Sequence, residues 1–218
     1  LFYKFIPSQK QNLAGTGKLY ALKIPGIENT SNKNGLISAG DTFPVEWVRI
    51  KDPLAKSTKT KIQGKEVGAS IFNGGEGIIY TNDKDLTTNI FFTCKKGGKA
   101  GLGQIWKYSP SKEKITLFYE SDNANNLWEG DNINIAPWGD LVICEDNGSN
   151  ACKLVGCTPN GTLYLLGRVA GNSSSEIAGI CFSPDGKNMY LNIQDEGKTI
   201  AISGDWSKIR EYRDEFDL

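Results

Sequence analysis

Short segments dominated by apolar residues, or alternating between apolar and polar ones, recur along most of the chain and are separated by polar turns. Residues 17–24 alternate in the way expected of a half-buried strand. Pro159-Asn160-Gly161 and Pro184-Asp185-Gly186 supply the residue types that hairpin turns use. No long amphipathic helix precedes the charged tail at 207–218. The pattern therefore predicts an all-β fold.

The predicted strands fall into successive groups. They cover residues 17–24, 45–50, 78–80, 90–94, 104–108, 115–120, 133–136, 141–144, 153–157, 162–168, 179–183, 189–193 and 199–203. One pattern returns three times among them. Each copy opens with an acidic residue, Glu76, Asp131 or Glu176, and continues with a short apolar strand, a turn and a second strand that has a polar end.

Equivalent positions in these copies are evenly spaced. Cys94 precedes Cys144 by 50 residues, and Cys144 precedes Asn192 by 48. A period near 50 built of short strands is typical of propeller blades. We therefore predict a β-propeller of four-stranded antiparallel blades. Since 218 residues hold only about four such blades, we expect a partial propeller that upstream or separate sequence completes.

Three parts of the chain are distinguished on this basis. Residues 1–69 are predicted to form the first blade or blades with a surface insertion, 70–206 the blades that carry the repeat, and 207–218 a charged tail. Residues 52–67, rich in basic and hydroxyl side chains, are predicted as the solvated insertion, with a short helix as the alternative.

The charge balance and the apolar content exclude several partners. The 25 Lys and Arg residues equal the 25 Asp and Glu residues, which argues against nucleic acid or an anionic membrane as a partner. No apolar run approaches the roughly 18 residues of a membrane span. The only methionine is Met189, and Leu1 already lies in a strand-like segment, so we expect residues upstream of this sequence.

Histidine is absent, which excludes a His base, nucleophile or metal ligand from this chain. None of the five cysteines forms a Cys-x-x-Cys pair, so a thiolate zinc site is not expected. Cys152 and Cys157 could close a small disulfide in an oxidising compartment. Cys94, Cys144 and Cys181 are predicted as buried free thiols. No Ser or Thr has an identifiable base partner, so the catalytic residues stay unassigned.

The repeated acids are the candidate chemistry. The first strands of propeller blades line a central channel, so Glu76, Asp131 and Glu176 would point at one another, with Glu145 at the end of a neighbouring strand. Converging carboxylates repel unless a cation or a proton lies between them. We predict these four residues as metal ligands for calcium or magnesium, and a ferric ion would also accept such oxygens. The alternative is that each acid caps a turn or binds neighbouring backbone amides.

Several motifs in the same region resemble the PhoX-type alkaline phosphatases. They are Gly75-Glu76-Gly77, the segment 90–94, Gly103-Gln104-Ile105-Trp106-Lys107-Tyr108-Ser109-Pro110, Asp131-Asn132, the segment 136–146, the segment 176–186 with Leu191-Asn192-Ile193-Gln194, and Gly204-Asp205-Trp206. Together they span about 70 to 206 in the order of the family, and the set is specific although any one motif alone is weak.

The resemblance implies a six-bladed propeller with a cluster of iron and calcium at the channel mouth. It implies hydrolysis of phosphate esters in the periplasm or outside the cell, with the lumen of an organelle as an alternative compartment. It covers the C-terminal half of the family's fold, so the remaining propeller sequence or partner subunits would complete the cluster. The family usually places an Arg that holds phosphate two residues before the glutamate matched by Glu76, and here that position is Gly74.

Two functions follow as expectations. The first is a metal-dependent phosphomonoesterase of the PhoX type, or the C-terminal part of one. The alternative is a non-catalytic, calcium-binding propeller subunit that serves as an interaction module in a larger assembly. Gly74 favours the alternative because a lost guanidinium removes a bidentate phosphate contact.

Overall fold

The computed structural model describes residues 1–82, 88–148, 151–170 and 174–212. Within these ranges the chain forms fifteen β-strands and two short α-helices, which confirms the predicted all-β class. None of the helices in the described ranges is long and apolar enough to cross a membrane. Residues 213–218 of the predicted tail lie outside the described residues.

The first sheet is built from the start of the chain. It has the antiparallel order β1-β2-β4, where β1 is Tyr3–Pro7, β2 is Gly17–Lys23 and β4 is Glu46–Ile50. The intervening strand β3 (Thr42–Pro44) leaves this sheet and pairs with the next one. Residue separation along the chain therefore does not decide which sheet a strand joins.

A short helix, α1 (Thr60–Glu66), forms within the segment predicted as a surface insertion. The buried Gln63 side chain accepts the Asp52 N–H at 2.9 Å and donates to the carbonyl oxygens of Asp52 at 2.8 Å and Thr58 at 2.7 Å. These bonds satisfy a buried amide and fix the helix to the loop before it. The short helix, which was the alternative interpretation of residues 52–67, is thus present.

Three further antiparallel sheets follow one another. The strands are β5 (Gly75–Asn82), β6 (Thr88–Cys94), β7 (Gln104–Ser109), β8 (Lys114–Glu120), β9 (Gly130–Ile135), β10 (Leu141–Glu145), β11 (Lys153–Cys157), β12 (Leu163–Arg168), β13 (Ile177–Phe182), β14 (Asn188–Ile193) and β15 (Lys198–Ser203), and the chain continues into α2 (Ile209–Tyr212). The sheet orders are β3-β8-β7-β6-β5, β12-β11-β10-β9 and β13-β14-β15. Each predicted strand has a counterpart.

The first strands of these three sheets, β5, β9 and β13, lie side by side. The Thr93 hydroxyl donates to the Asp131 carbonyl at 2.7 Å, and the Asn134 amide donates to the Ile180 carbonyl at 2.9 Å, so hydrogen bonds cross from sheet to sheet. At Gly77 the backbones approach closely, because an added Cβ would lie 2.5 Å from the Asp131 carbonyl oxygen. Sheets that meet along their first strands are arranged as propeller blades are.

Aromatic and aliphatic side chains fill the space between the sheets. Phe2 stacks on Phe92 with ring centroids 4.6 Å apart, which joins the start of the chain to the second sheet. Trp138 packs edge-on against Phe182 at 5.7 Å and donates to the Tyr164 hydroxyl at 2.8 Å. Trp138 therefore ties the third sheet to the fourth.

The cysteines are all free thiols in the structure, including Cys152 and Cys157. Cys94 and Cys144 are buried as predicted, but Cys181 is exposed, which corrects the prediction for that residue. The register of β13 against β14 shifts between Ala178 and Cys181, so strict alternation fails there and the Cys181 side chain faces solvent.

Candidate metal and phosphate site

Three carboxylates from three different strands converge beside the inner strands β9 and β13. Asp131 lies in β9, Asp146 directly follows β10 and Glu176 directly precedes β13. One oxygen from each lies within 4.8 Å of the others. All three side chains are partly buried. The structure therefore brings Asp131 and Glu176 together as predicted from the repeat, and it adds Asp146 to them.

Irregularities in the strand ladders occur beside these acids. The register shifts between Gly75 and Ile78 in β5, and between Ile143 and Glu145 in β10. A bulge bends its strand and changes the direction in which the following side chain points. In the second shift one residue of β10 lies opposite Asp131 and Asn132, so the extra residue is in β9, the strand that carries Asp131.

The electrostatics of the group are those of crowded like charges. Burial raises the pKa of Glu176 to about 7, and a hydrogen bond shared with Asp146 and the negative charges of Asp146 and Asp131 add to this effect. Burial also raises the pKa of Asp131, with a further contribution from the charge of Glu76. A proton on Glu176 thus relieves repulsion that a bound cation would relieve more fully.

Lys95 places a positive charge beside the acids. Its ammonium forms an ion pair with Asp146 and lies 3.9 Å from a Glu129 carboxylate oxygen. Lys96 forms an ion pair with the other oxygen of Glu129. Although burial opposes both charges, the hydrogen bond between Lys95 and Asp146 prevails, so that it lowers the pKa of Asp146 and raises that of Lys95.

Glu76 and Glu145 occupy different positions from this group. Glu76 is exposed on β5, close enough to Asp131 for its charge to raise the pKa of that residue. Glu145 is fully buried, and it accepts the backbone N–H groups of Trp128 at 2.7 Å and Lys153 at 2.9 Å. Glu145, which the sequence predicted as a ligand, therefore lies outside the converging group, and its oxygens are engaged by donors inside the fold.

Asp146 and Lys95 are the members of the site that sequence reasoning did not select. Asp146 stood beside Glu145 at the end of a predicted strand, and alternation alone would have placed the two on opposite faces. Lys95 lies in Lys95-Lys96-Gly97-Gly98, a segment that lacks the helix that would make such a loop an effective phosphate site. Nothing local in the sequence shows that Lys95 reaches a carboxylate 51 positions later.

The donor set fits a hard divalent cation. Asp131, Asp146 and Glu176 offer carboxylate oxygens, and the alternative that each acid merely caps its own turn does not describe a group drawn from three strands. The nearby Cys144 is no thiolate donor, because burial raises its pKa to about 12. The arrangement could hold a cation between the carboxylates and present it next to the Lys95 ammonium.

Gly74 has a conformation that explains why it is glycine. Its φ of +64° is left-handed, and an added Cβ would lie 3.3 Å from the backbone nitrogen of Lys96 and 3.4 Å from the Lys95 Cβ. The Gly74 carbonyl also accepts the Lys95 N–H at 2.7 Å. The position where the resemblance expects an Arg is therefore occupied by a tight turn that packs against the two lysines.

Comparisons with known proteins place this chain in a family. The family described as alkaline phosphatase PhoX matches residues 1–197 of the chain. No curated protein sequence matches it. Among solved structures, Pseudomonas fluorescens PhoX in complex with vanadate, a transition state analogue, superimposes with a TM-score of 0.61 at 18% identity. That likeness covers 88% of this chain and 43% of the other, so the chain spans less than half the length of that relative. The fold and the extent of the family match show that this chain belongs to the PhoX alkaline phosphatase family.

Proposed function

We propose that the chain carries part of the active site of a metal-dependent phosphomonoesterase that hydrolyses small phosphate esters. The observation that supports this most directly is the convergence of Asp131, Asp146 and Glu176 from three different strands, within 4.8 Å of one another and beside Lys95. A group that combines hard oxygen donors with an ammonium suits a cation and a phosphate side by side. Family membership supports the same class of reaction.

Calcium is the cation we assign to the three carboxylates, because hard oxygen donors without imidazole or thiolate are its usual ligands. A bound cation would supply charge stabilisation to the phosphoryl oxygens. Iron is expected from the family resemblance, and its ligands would lie in the remaining propeller sequence or a partner subunit. Glu76, exposed on β5 near Asp131, is the described residue best placed to complete the calcium ligands.

The residues of this chain would each have a distinct part. Asp131, in β9, and Asp146, directly after β10, would bind the cation through carboxylate oxygens. Glu176, with its pKa of about 7, would have to be deprotonated to act as a third ligand. Lys96 keeps the carboxylate of Glu129 paired, so that this acid does not add an uncompensated negative charge to a site that has to admit a phosphate.

The expected setting follows from the family. We propose that the protein acts in the periplasm or outside the cell, where a phosphate ester is its small-molecule partner. Nucleic acid forms no part of the proposal, given the balanced charge of the chain.

Calcium titration by calorimetry tests the site in the full-length protein. Asp131→Asn and Glu176→Gln should each weaken calcium binding at least about tenfold, since each removes a charged ligand and leaves the side-chain size unchanged. Glu113→Gln is the matched control, because Glu113 is an exposed acid in the turn between β7 and β8.

Equal calcium affinity in the wild type and both site variants would contradict the metal site. Calcium binding without hydrolysis of an aryl phosphate by the full-length protein would leave the non-catalytic, calcium-binding subunit as the function. Hydrolysis that is lost with calcium, and lost in the Asp131→Asn protein, would support the phosphomonoesterase.

A further inference from the structure

We propose that Lys95 binds the phosphate group of the substrate. The proposal rests on the proposed function, because it needs a cation held by the neighbouring carboxylates. Lys95 would be a substrate-binding residue: its ammonium would donate to a phosphoryl oxygen of the ester and of the released inorganic phosphate.

The position of the ammonium is the first observation. Lys95 follows the end of β6, and its side chain is only 17% exposed, whereas that of the adjacent Lys96 is 59% exposed. The Lys95 side chain reaches Asp146, one of the three converging acids, so its charge lies where a ligand of those acids would lie. The Lys96 ammonium pairs with Glu129 instead.

The turn around Gly74 is the second observation, because it fixes the backbone of Lys95 at the site. The Lys95 N–H donates to the Gly74 carbonyl at 2.7 Å, and the Lys96 N–H donates to the Asn73 carbonyl at 3.2 Å. With its backbone tied at this point, Lys95 needs to order only its own side chain on binding a ligand, which limits the entropic cost.

The charges at the site give the reason why a cationic donor is needed. Besides the three converging acids, the described part of the site contains Glu76 and Glu129. Lys96 neutralises Glu129, but the other four carboxylates would repel a phosphate dianion, and bound cations offset only part of that charge. An ammonium has three N–H donors and no acceptor. Lys95 could therefore keep a carboxylate partner and still donate to a phosphate oxygen once Asp146 binds the cation.

A simpler role for Lys95 is the competing explanation. As a purely structural counter-charge it would stabilise Asp146 and Glu129 and have no contact with the substrate. The two roles differ in one measurable respect: a structural lysine changes stability and cation affinity, whereas a phosphate-binding lysine also changes the affinity for inorganic phosphate.

The experiment is a calorimetric titration of inorganic phosphate into the calcium-loaded, full-length protein, after a calcium titration of each variant. Lys95→Met should bind phosphate about ten- to a hundredfold more weakly, the effect of one lost charge-assisted hydrogen bond. Its calcium affinity should not fall, because an ammonium that competes for Asp146 is gone. Lys95→Gln serves as a second neutral variant, and Lys95→Arg should retain phosphate binding.

Lys99→Met is the matched control. Lys99 is exposed on the same loop, and its aliphatic chain lies near Gly35, where a Cβ added to that glycine would be 3.4 Å from the Lys99 Cδ. This variant therefore removes the same charge without affecting the three converging acids. Its phosphate affinity should equal that of the wild type. Unchanged phosphate affinity in both Lys95→Met and Lys95→Gln, or no phosphate binding by the calcium-loaded wild type, would overturn the proposal. A wild type that binds no calcium would contradict the proposed function itself, which the first titration shows separately.

Discussion

Two acids that are neighbours in sequence, Glu145 and Asp146, have opposite environments. Glu145 is fully buried, and besides two backbone N–H groups it accepts the Asn147 amide at 3.1 Å and pairs with the Lys153 ammonium at 3.2 Å. Asp146 faces Asp131 and Glu176 and has Lys95 as its cationic partner. The same chemical group stabilises the fold on one side of the chain and forms a binding site on the other.

The difference lies in what surrounds each carboxylate. Donors in β11 and in the loop before β9 form hydrogen bonds with the Glu145 carboxylate. This carboxylate therefore does not require a ligand. Lys153 itself also donates to the carbonyl oxygens of Ala124 and Asn125, at 2.8 and 2.7 Å, which binds that loop to the same network. Around Asp146 the neighbours are mostly acceptors, so the favourable state requires a proton or an external cation.

The largest expected effect separates these two acids by stability. Glu145→Ala should lower the free energy of unfolding by about 3 kcal/mol, because it leaves two backbone N–H groups without their acceptor and removes the buried carboxylate that pairs with the Lys153 ammonium. Asp146→Ala should change it by less than about 1 kcal/mol, since it removes one of three repelling carboxylates and Lys95 keeps Glu129 nearby. Urea unfolding of the two metal-free variants measures both values. Equal losses would show that the distinction between the two environments is mistaken.

A second prediction sharpens the comparison through pH. Since the pKa of Glu176 is raised to about 7, this acid is protonated below that pH and has to release a proton before it binds a cation. Calcium affinity should therefore be constant above about pH 8 and fall by up to about tenfold for each pH unit below 7. Calorimetry at a series of pH values measures this dependence.

The matched variant for the pH series is Glu176→Gln. It should bind calcium more weakly at every pH and with a flatter dependence between pH 5.5 and 7, where Glu176 titrates in the wild type. A wild-type affinity that stays constant down to pH 5 would show that Glu176 is not the group whose proton the cation displaces.

The comparison also shows how far sequence reasoning reaches. The near-50-residue repeat was sufficient for the strands and for the convergence of Asp131 and Glu176, because equivalent positions in successive blades occupy equivalent places. It could not choose between Glu145 and Asp146, because the register shift between Ile143 and Glu145 depends on pairing with β9, which no local pattern encodes. The link from Lys95 to Asp146 and the addition of β3 to the second sheet are likewise contacts between distant segments.

The smallest expected effect concerns the turn that holds Lys95 beside Asp146. Gly74→Ala should lower the free energy of unfolding by about 1 kcal/mol, because φ at this position is +64° and an L-residue is disfavoured there. The added methyl group would also lie 3.3 Å from the backbone nitrogen of Lys96, which is closer than ordinary van der Waals contact. If the turn positions Lys95, the variant should also weaken the affinity for inorganic phosphate by a few fold while the calcium affinity stays unchanged.

Gly75→Ala provides the control for this last prediction. Gly75 is the next residue, has no neighbouring atom within 4 Å of an added Cβ and does not have the left-handed φ of Gly74. Its substitution should leave the free energy of unfolding within about 0.5 kcal/mol of the wild type. Urea unfolding and phosphate titration of the Gly74→Ala and Gly75→Ala proteins separate the effect of backbone strain from that of an added methyl group. A Gly74→Ala protein as stable as Gly75→Ala would contradict the left-handed turn. An equal loss of phosphate affinity in both would mean that crowding near Glu76, and not the placement of Lys95, controls access to the site.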